Sequence, residues 1–75
     1  MIKREKTEWG VRLVDYPFDG LPKNSEMYVQ AEIRGTDIRF WFSGTTVRQP
    51  LRRADALIWM GCLKAVFDAA LKEAK

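Results

Sequence analysis

Residues 27–43, MYVQAEIR-GT-DIRFWFS, restrict the fold of this chain more than any other stretch. Two runs of alternating side chains flank Gly35-Thr36, and glycine at the first turn position supplies the positive φ of a type II′ hairpin. A two-residue turn fixes the pairing on both sides. Arg34 then opposes Asp37, Ile33 opposes Ile38, Glu32 opposes Arg39, Ala31 opposes Phe40, Gln30 opposes Trp41, Val29 opposes Phe42 and Tyr28 opposes Ser43. One face of this hairpin is wholly apolar, through Met27, Val29, Ala31, Ile33, Ile38, Phe40 and Phe42. The other carries two opposite-charge pairs with Tyr28 and Trp41. Slipping by one residue would turn Glu32 and Arg39 into the core, so the register is strongly specified.

After Pro50 the chain reads LRRADALIWMGCLKAVFDAALKEA, residues 51–74, the only segment long enough for a multi-turn helix. On a helical wheel, Ala56, Met60, Leu63, Phe67, Ala70, Leu71 and Ala74 gather in one arc, widened by Trp59 and Val66, and this arc is expected to pack on the sheet. Arg53, Lys64, Asp68, Lys72 and Lys75 form a polar stripe beside it. On the remaining side Ile58, Cys62, Ala65 and Ala69 repeat at spacings of four, three and four. That is a heptad seam of small residues, suited to close approach of a second helix. The competing reading makes Ala65 and Ala69 plain helix formers on an exposed face. Gly61, in mid-helix, costs about 1 kcal/mol relative to alanine unless a close contact compensates.

Upstream of the hairpin, Trp9, Val11 and Leu13 alternate with Arg12, Val14 and Tyr16, which predicts a first strand over residues 7–15. MIKREK, residues 1–6, is charged and without pattern, so a flexible end is expected. Between Pro17 and Glu26, three turn-forming residues (Pro17, Gly20 and Pro22) exclude regular structure, with Phe18 and Leu21 as an apolar plug. The expected fold is therefore α+β: a three-stranded antiparallel sheet in β-β-β-α order, with strands near 7–15, 27–34 and 37–43, packed on one long C-terminal helix near 50–74. All 75 residues form a single small domain. A domain of this size is marginal alone. One cysteine cannot form an internal disulfide, and without histidine a structural zinc has too few ligands, which leaves association as the route to extra stability. No stretch is apolar enough for a signal peptide or a membrane span, and the expectation is a cytoplasmic protein.

The net charge of +3 is uneven. Residues 1–26 and 54–75 are each balanced, so the excess lies in Arg34, Arg39, Arg48, Arg52 and Arg53 against Glu32 and Asp37. Arg48, Arg52 and Arg53 surround the helix start, where positive charge opposes the macrodipole and an anionic partner would be welcome. Exposed Tyr28 and Trp41 beside Arg39 suit protein hot spots and also base stacking. The bland readings are ordinary cross-strand pairing and a solvated charge cluster.

For catalysis the general base most often used, histidine, is absent. Cys62 lies among apolar helix neighbours, where a cysteine is a packing residue far more often than a nucleophile. Neither a phosphate-binding nor a dinucleotide-binding glycine pattern occurs. No catalytic, cofactor-binding or metal-ligating residue is assigned. The order of three strands and a helix resembles the small sheet-based DNA-binding domains that begin some phage integrases; the resemblance is one of topology and assigns no residue. The functional expectation is a non-enzymatic interaction protein of the regulator or inhibitor kind, such as mobile genetic elements carry. It would bind a protein partner through Arg48, Arg52, Arg53, Arg39, Tyr28 and Trp41, as a homodimer sealed by Ile58, Cys62, Ala65 and Ala69. The alternative is nucleic-acid binding through the same arginines and the aromatic sheet face.

Overall fold

The structure is a computed structural model that describes residues 1–18, 27–43 and 52–74. Four antiparallel strands, β1 (Lys3–Lys6), β2 (Val11–Asp15), β3 (Tyr28–Arg34) and β4 (Asp37–Ser43), form one sheet in the order β1-β2-β3-β4. A single helix, α1 (Arg53–Glu73), crosses one face of it. Its 21 residues, at about 1.5 Å each, account for most of the 36 Å long axis.

The hairpin forms with the expected register, from Tyr28 opposite Ser43 to Arg34 opposite Asp37. Gly35 adopts φ 64° and Thr36 a negative φ, as a type II′ turn requires. Val29, Ala31 and Ile33 are buried on the inner face and β2 adds Leu13 in register with Ala31.

The sheet has four strands where three were expected. Residues 1–6 are not a loose end: Lys3–Lys6 pair with Val11–Val14. Exposed edge strands need no apolar alternation, so KREK carries no strand signal. It is held instead by polar contacts, with Arg4 Nε donating to Glu73 Oε1 at 2.5 Å and Arg4 Nη2 to Glu73 Oε2 at 3.2 Å. The first expected strand, residues 7–15, is correspondingly cut at its start. The Thr7 N–H donates to the Gly10 carbonyl at 2.8 Å, and the Gly10 N–H to Thr7 Oγ1 at 3.1 Å, closing a turn between β1 and β2. Trp9 sits on that turn and does not share a face with Leu13.

The helix lies where expected but is rotated by about a quarter turn. Its buried residues are Trp59, Cys62, Val66 and Ala70, which join Leu13, Val29, Ala31 and Ile33 in the core. Met60, Phe67 and Leu71, placed by the wheel at the centre of the sheet-facing arc, are exposed to 63%, 50% and 55%. So much of this helix is apolar that periodicity alone cannot choose its orientation; shape does. Trp59 is the one side chain large enough to fill the centre of the interface. It meets Phe18 edge-on at 6.0 Å and Phe42 at 5.8 Å between ring centroids. Cys62 and Ala70, being small, let the helix backbone approach the sheet.

This rotation dismantles the four-residue seam. Cys62 is buried in the core and Ala69 packs against it, which leaves Ile58 and Ala65 outside. Ile58, Cys62, Ala65 and Ala69 therefore do not form an exposed face. Gly61 is exposed and a Cβ there would meet nothing within 4 Å, so no close contact offsets its cost. The helix begins at Arg53, with Arg52 as N-cap and without a side-chain cap bond. Gly44, Thr45, Thr46, Arg48, Gln49, Pro50, Leu51, Leu21 and the turn residues between 19 and 26 lie outside the described residues.

Candidate functional site

Strand alternation sets the candidate surface. Because Val29, Ala31 and Ile33 point to the helix, Tyr28, Gln30, Glu32 and Arg34 of β3 point to the opposite, outer face, with Asp37, Arg39 and Trp41 of β4 beside them. Register carries Arg12 and Val14 of β2 and Lys3 and Glu5 of β1 to the same face.

Much of this face is tied to itself. The Arg12 guanidinium lies 3.6 Å from Glu5 Oε1 and 3.6 Å from Glu32 Oε2. Trp9 has the guanidinium of Arg34 4.6 Å from its ring centroid and that of Arg12 at 5.6 Å, while Lys3 lies 5.3 Å from the Tyr16 ring. These are cation–π contacts, and they occupy the rings that make them. Strand alternation alone does not place Trp9 here, although Gly10 after it marks the turn that redirects it. Tyr28 and Trp41 are half-buried, separated on this face by Gln30, and Arg39 is exposed. Thus three of the six expected partner-binding residues, Tyr28, Arg39 and Trp41, come together on two adjacent strands.

Arg52 and Arg53 do not join them. They are exposed at the start of a helix that covers the inner face, so the sheet separates them from the aromatic surface; Arg48 lies outside the described residues. The expected cluster of arginines with sheet aromatics is two surfaces, one on either side of the sheet.

The reactive groups are quiet. Burial, followed by the neighbouring Asp15 carboxylate, pushes the Cys62 thiol up to about 11, away from the thiolate a nucleophile needs. Asp15 itself accepts from the Tyr16 N–H at 2.9 Å and from the Met1 amino nitrogen at 3.1 Å. Glu73 holds the Arg4 guanidinium pKa above its usual value through a hydrogen bond and charge. Among the described residues no three histidine, cysteine or acidic side chains come together as metal ligands, and no helix is long and apolar enough to cross a membrane. At the hairpin tip Glu32, Arg34, Asp37, Ile38 and Arg39 line a depression of about 210 Å³, below the size of ordinary small-molecule sites.

A second surface was not foreseen. The helix packs over β2 and β3, leaving the β4 side of the inner face partly uncovered. Ile38 and Phe42 are exposed there to 36% and 50%, beside the Met60, Phe67 and Leu71 flank of the helix. Phe40 and Phe67, with ring centroids 5.4 Å apart, join the two walls. No protein-family model matches the chain, and neither a curated protein nor a solved structure is found to match it.

Proposed function

We propose that this chain is a non-enzymatic interaction protein that binds a protein partner through the outer face of its sheet, with Tyr28, Arg39 and Trp41 as the contact centre. The observation that carries this reading is the half-buried Trp41 standing between the exposed Arg39, two residues along its own strand, and the half-buried Tyr28, diagonal to it on β3. Trp, Tyr and Arg in such a cluster are the side chains that most often dominate protein interfaces, and a sheet holds them at little entropic cost. Trp9 and Tyr16, already engaged by Arg12, Arg34 and Lys3, frame this centre.

The charge of the face favours a protein over a nucleic acid. Lys3, Arg12, Arg34 and Arg39 stand against Glu5, Glu32 and Asp37, nearly balanced, whereas phosphate-tracking surfaces are strongly one-signed. Nucleic-acid binding is the second reading, favoured by the arginine-aromatic adjacency itself. A regulatory or inhibitory role in a reducing, cytoplasmic setting forms part of the same proposal, and the single free, buried cysteine is compatible with that setting.

Immobilised protein and two folded variants, Trp41→Ala and Arg39→Glu, decide the matter by capture from lysate of the native cell. The reading expects a partner retained by the parent and lost by both variants; equal retention by all three refutes it. Binding to generic DNA or RNA that weakens steeply with added salt would replace it with the second reading.

A further inference from the structure

The sheet has two edges that differ in kind. β1 exposes Lys3, Arg4, Glu5 and Lys6, the charged side chains by which proteins discourage strand pairing. β4 has no such guard on its inner side, where Ile38, Phe40 and Phe42 follow one another. Backbone geometry sharpens the contrast. In a two-residue hairpin the closing pair, Arg34 with Asp37, exchanges hydrogen bonds, and bonded pairs then alternate along the ladder. Asp37, Arg39 and Trp41 therefore turn their N–H and C=O toward β3, while Ile38, Phe40 and Phe42 turn theirs away from it. Among the described residues no strand receives them.

We propose that β4 pairs with β4 of a second copy, antiparallel about a two-fold axis through Phe40, joining the two sheets into one of eight strands. This inference goes beyond the outer-face reading and does not depend on it. The strand is self-complementary in that register and in no neighbouring one. Phe40 faces Phe40 of the second copy, and Ile38 faces its Phe42, so all three outward-turned residues meet outward-turned partners in about six backbone hydrogen bonds. On the outer face Arg39 meets Trp41 of the second copy, with no like charges opposed. Moving the axis to Arg39 loses a bonded pair and sets arginine against arginine; moving it to Trp41 loses a bonded pair.

The same axis brings the two uncovered apolar surfaces side by side. Strands about 4.8 Å apart put the two helices, each over β2 and β3, about 19 Å from one another on one face of the joined sheet. With helix diameters of 10–12 Å, side chains included, a groove roughly 8 Å wide remains between them, walled by Met60, Phe67 and Leu71 of both copies. Side chains of this class carry about 150–200 Å² each, so the exposed parts of Ile38, Phe42, Met60, Phe67 and Leu71 offer on the order of 450 Å² per copy. Were all of it covered, the pair, with its backbone edges and outer-face contacts, would approach the roughly 1,200 Å² at which stable interfaces begin. The helix seam read from sequence cannot serve, since Cys62 is inside the core.

The test uses the full purified chain with no other protein present, so its result is separate from that of partner capture. Light scattering at high micromolar concentration is expected to give twice the 8.7 kDa chain mass. Amide exchange is expected to slow at Ile38, Phe40 and Phe42 as concentration rises. Ile38→Pro removes an outward N–H without touching the β3 ladder and should yield monomer with an unchanged far-ultraviolet spectrum. Met60→Lys, on the helix surface, should weaken association at least about tenfold, whereas Ile58→Lys, on the other side of the helix, should leave it unchanged. A chain that stays monomeric, with these three amides exchanging freely, overturns the proposal and leaves the face to a different occupant. A dimer in which those amides gain no protection, or which Ile58→Lys breaks and Met60→Lys spares, overturns it equally.

Discussion

Gly10 approaches Ile33 so closely that a Cβ at Gly10 would lie 2.0 Å from the Ile33 carbonyl oxygen and 3.1 Å from its carbon. The obstacle is backbone of the central strand β3, which cannot swing aside as a side-chain tip can. Gly10 also has φ 154°, a conformation side-chain-bearing residues rarely adopt. Gly10→Ala should therefore cost about 2–4 kcal/mol. In a domain whose total stability is of order 4–11 kcal/mol, urea denaturation should show a midpoint lowered by about a fifth or more.

Gly61 gives the opposite expectation. It is exposed, in mid-helix, with open space where a Cβ would go. Gly61→Ala should stabilise the protein by about 0.5–1 kcal/mol, seen as a raised thermal midpoint without change in the sheet. A loss of stability would mean that the glycine serves a contact made only in an assembly.

The two glycines also show what could be read from sequence. The hairpin was legible because a two-residue turn and a period of two state the same register independently, and a slip would bury Glu32 and Arg39. β1 was not, because its four residues are all charged and the strand is specified by partners distant in sequence, Val11–Val14 and Glu73. The helix was legible in extent but not in rotation. Its apolar residues run around most of the circumference, and only the fit of Trp59 between Phe18 and Phe42 selects the face. At the candidate site, Tyr28, Arg39 and Trp41 could be grouped because they share one register. Arg52 and Arg53 could not be placed without knowing which face the helix covers.

Arg4 and Glu73 tie the edge strand to the last turn of the helix by two hydrogen bonds. Both side chains retain solvent contact, so the pair itself should contribute little to global stability. A double-mutant cycle with Arg4→Ala and Glu73→Ala should return a small coupling that shrinks with added salt. The larger consequence is local: in Arg4→Ala, amide exchange in β1 should accelerate while β3 is unaffected.

Cys62 is held neutral in the fold, with its pKa raised from 9.0 to about 11. A thiol whose folded pKa exceeds its unfolded value stabilises the fold fully below the unfolded pKa. That contribution is lost as pH rises from about 9 through about 11, because the unfolded chain ionises first. Denaturation at successive pH values should show a decline over this window that Cys62→Ala lacks. At neutral pH a thiol reagent should modify Cys62 only at the rate of opening of the core.

Val66 and Met60 separate the observed helix orientation from the one that periodicity favours. Val66 has no exposed surface and Met60 is exposed to 63%, although a wheel places Met60 in the centre of the sheet-facing arc and Val66 at its margin. Val66→Ala removes two buried methyl groups from the contact with Leu13, Val29 and Ala70 and should cost about 2–3 kcal/mol. Met60→Ala, measured in dilute protein so that association does not contribute, should change stability by less than about 0.5 kcal/mol. If the helix were turned to bury Met60 the order would reverse, since truncating a buried methionine costs about 2–5 kcal/mol. Comparing the two urea midpoints therefore tests the rotation directly. It also tests what depends on it, because only with Val66 inward do Met60, Phe67 and Leu71 stand beside Ile38 and Phe42 on the open side of β4.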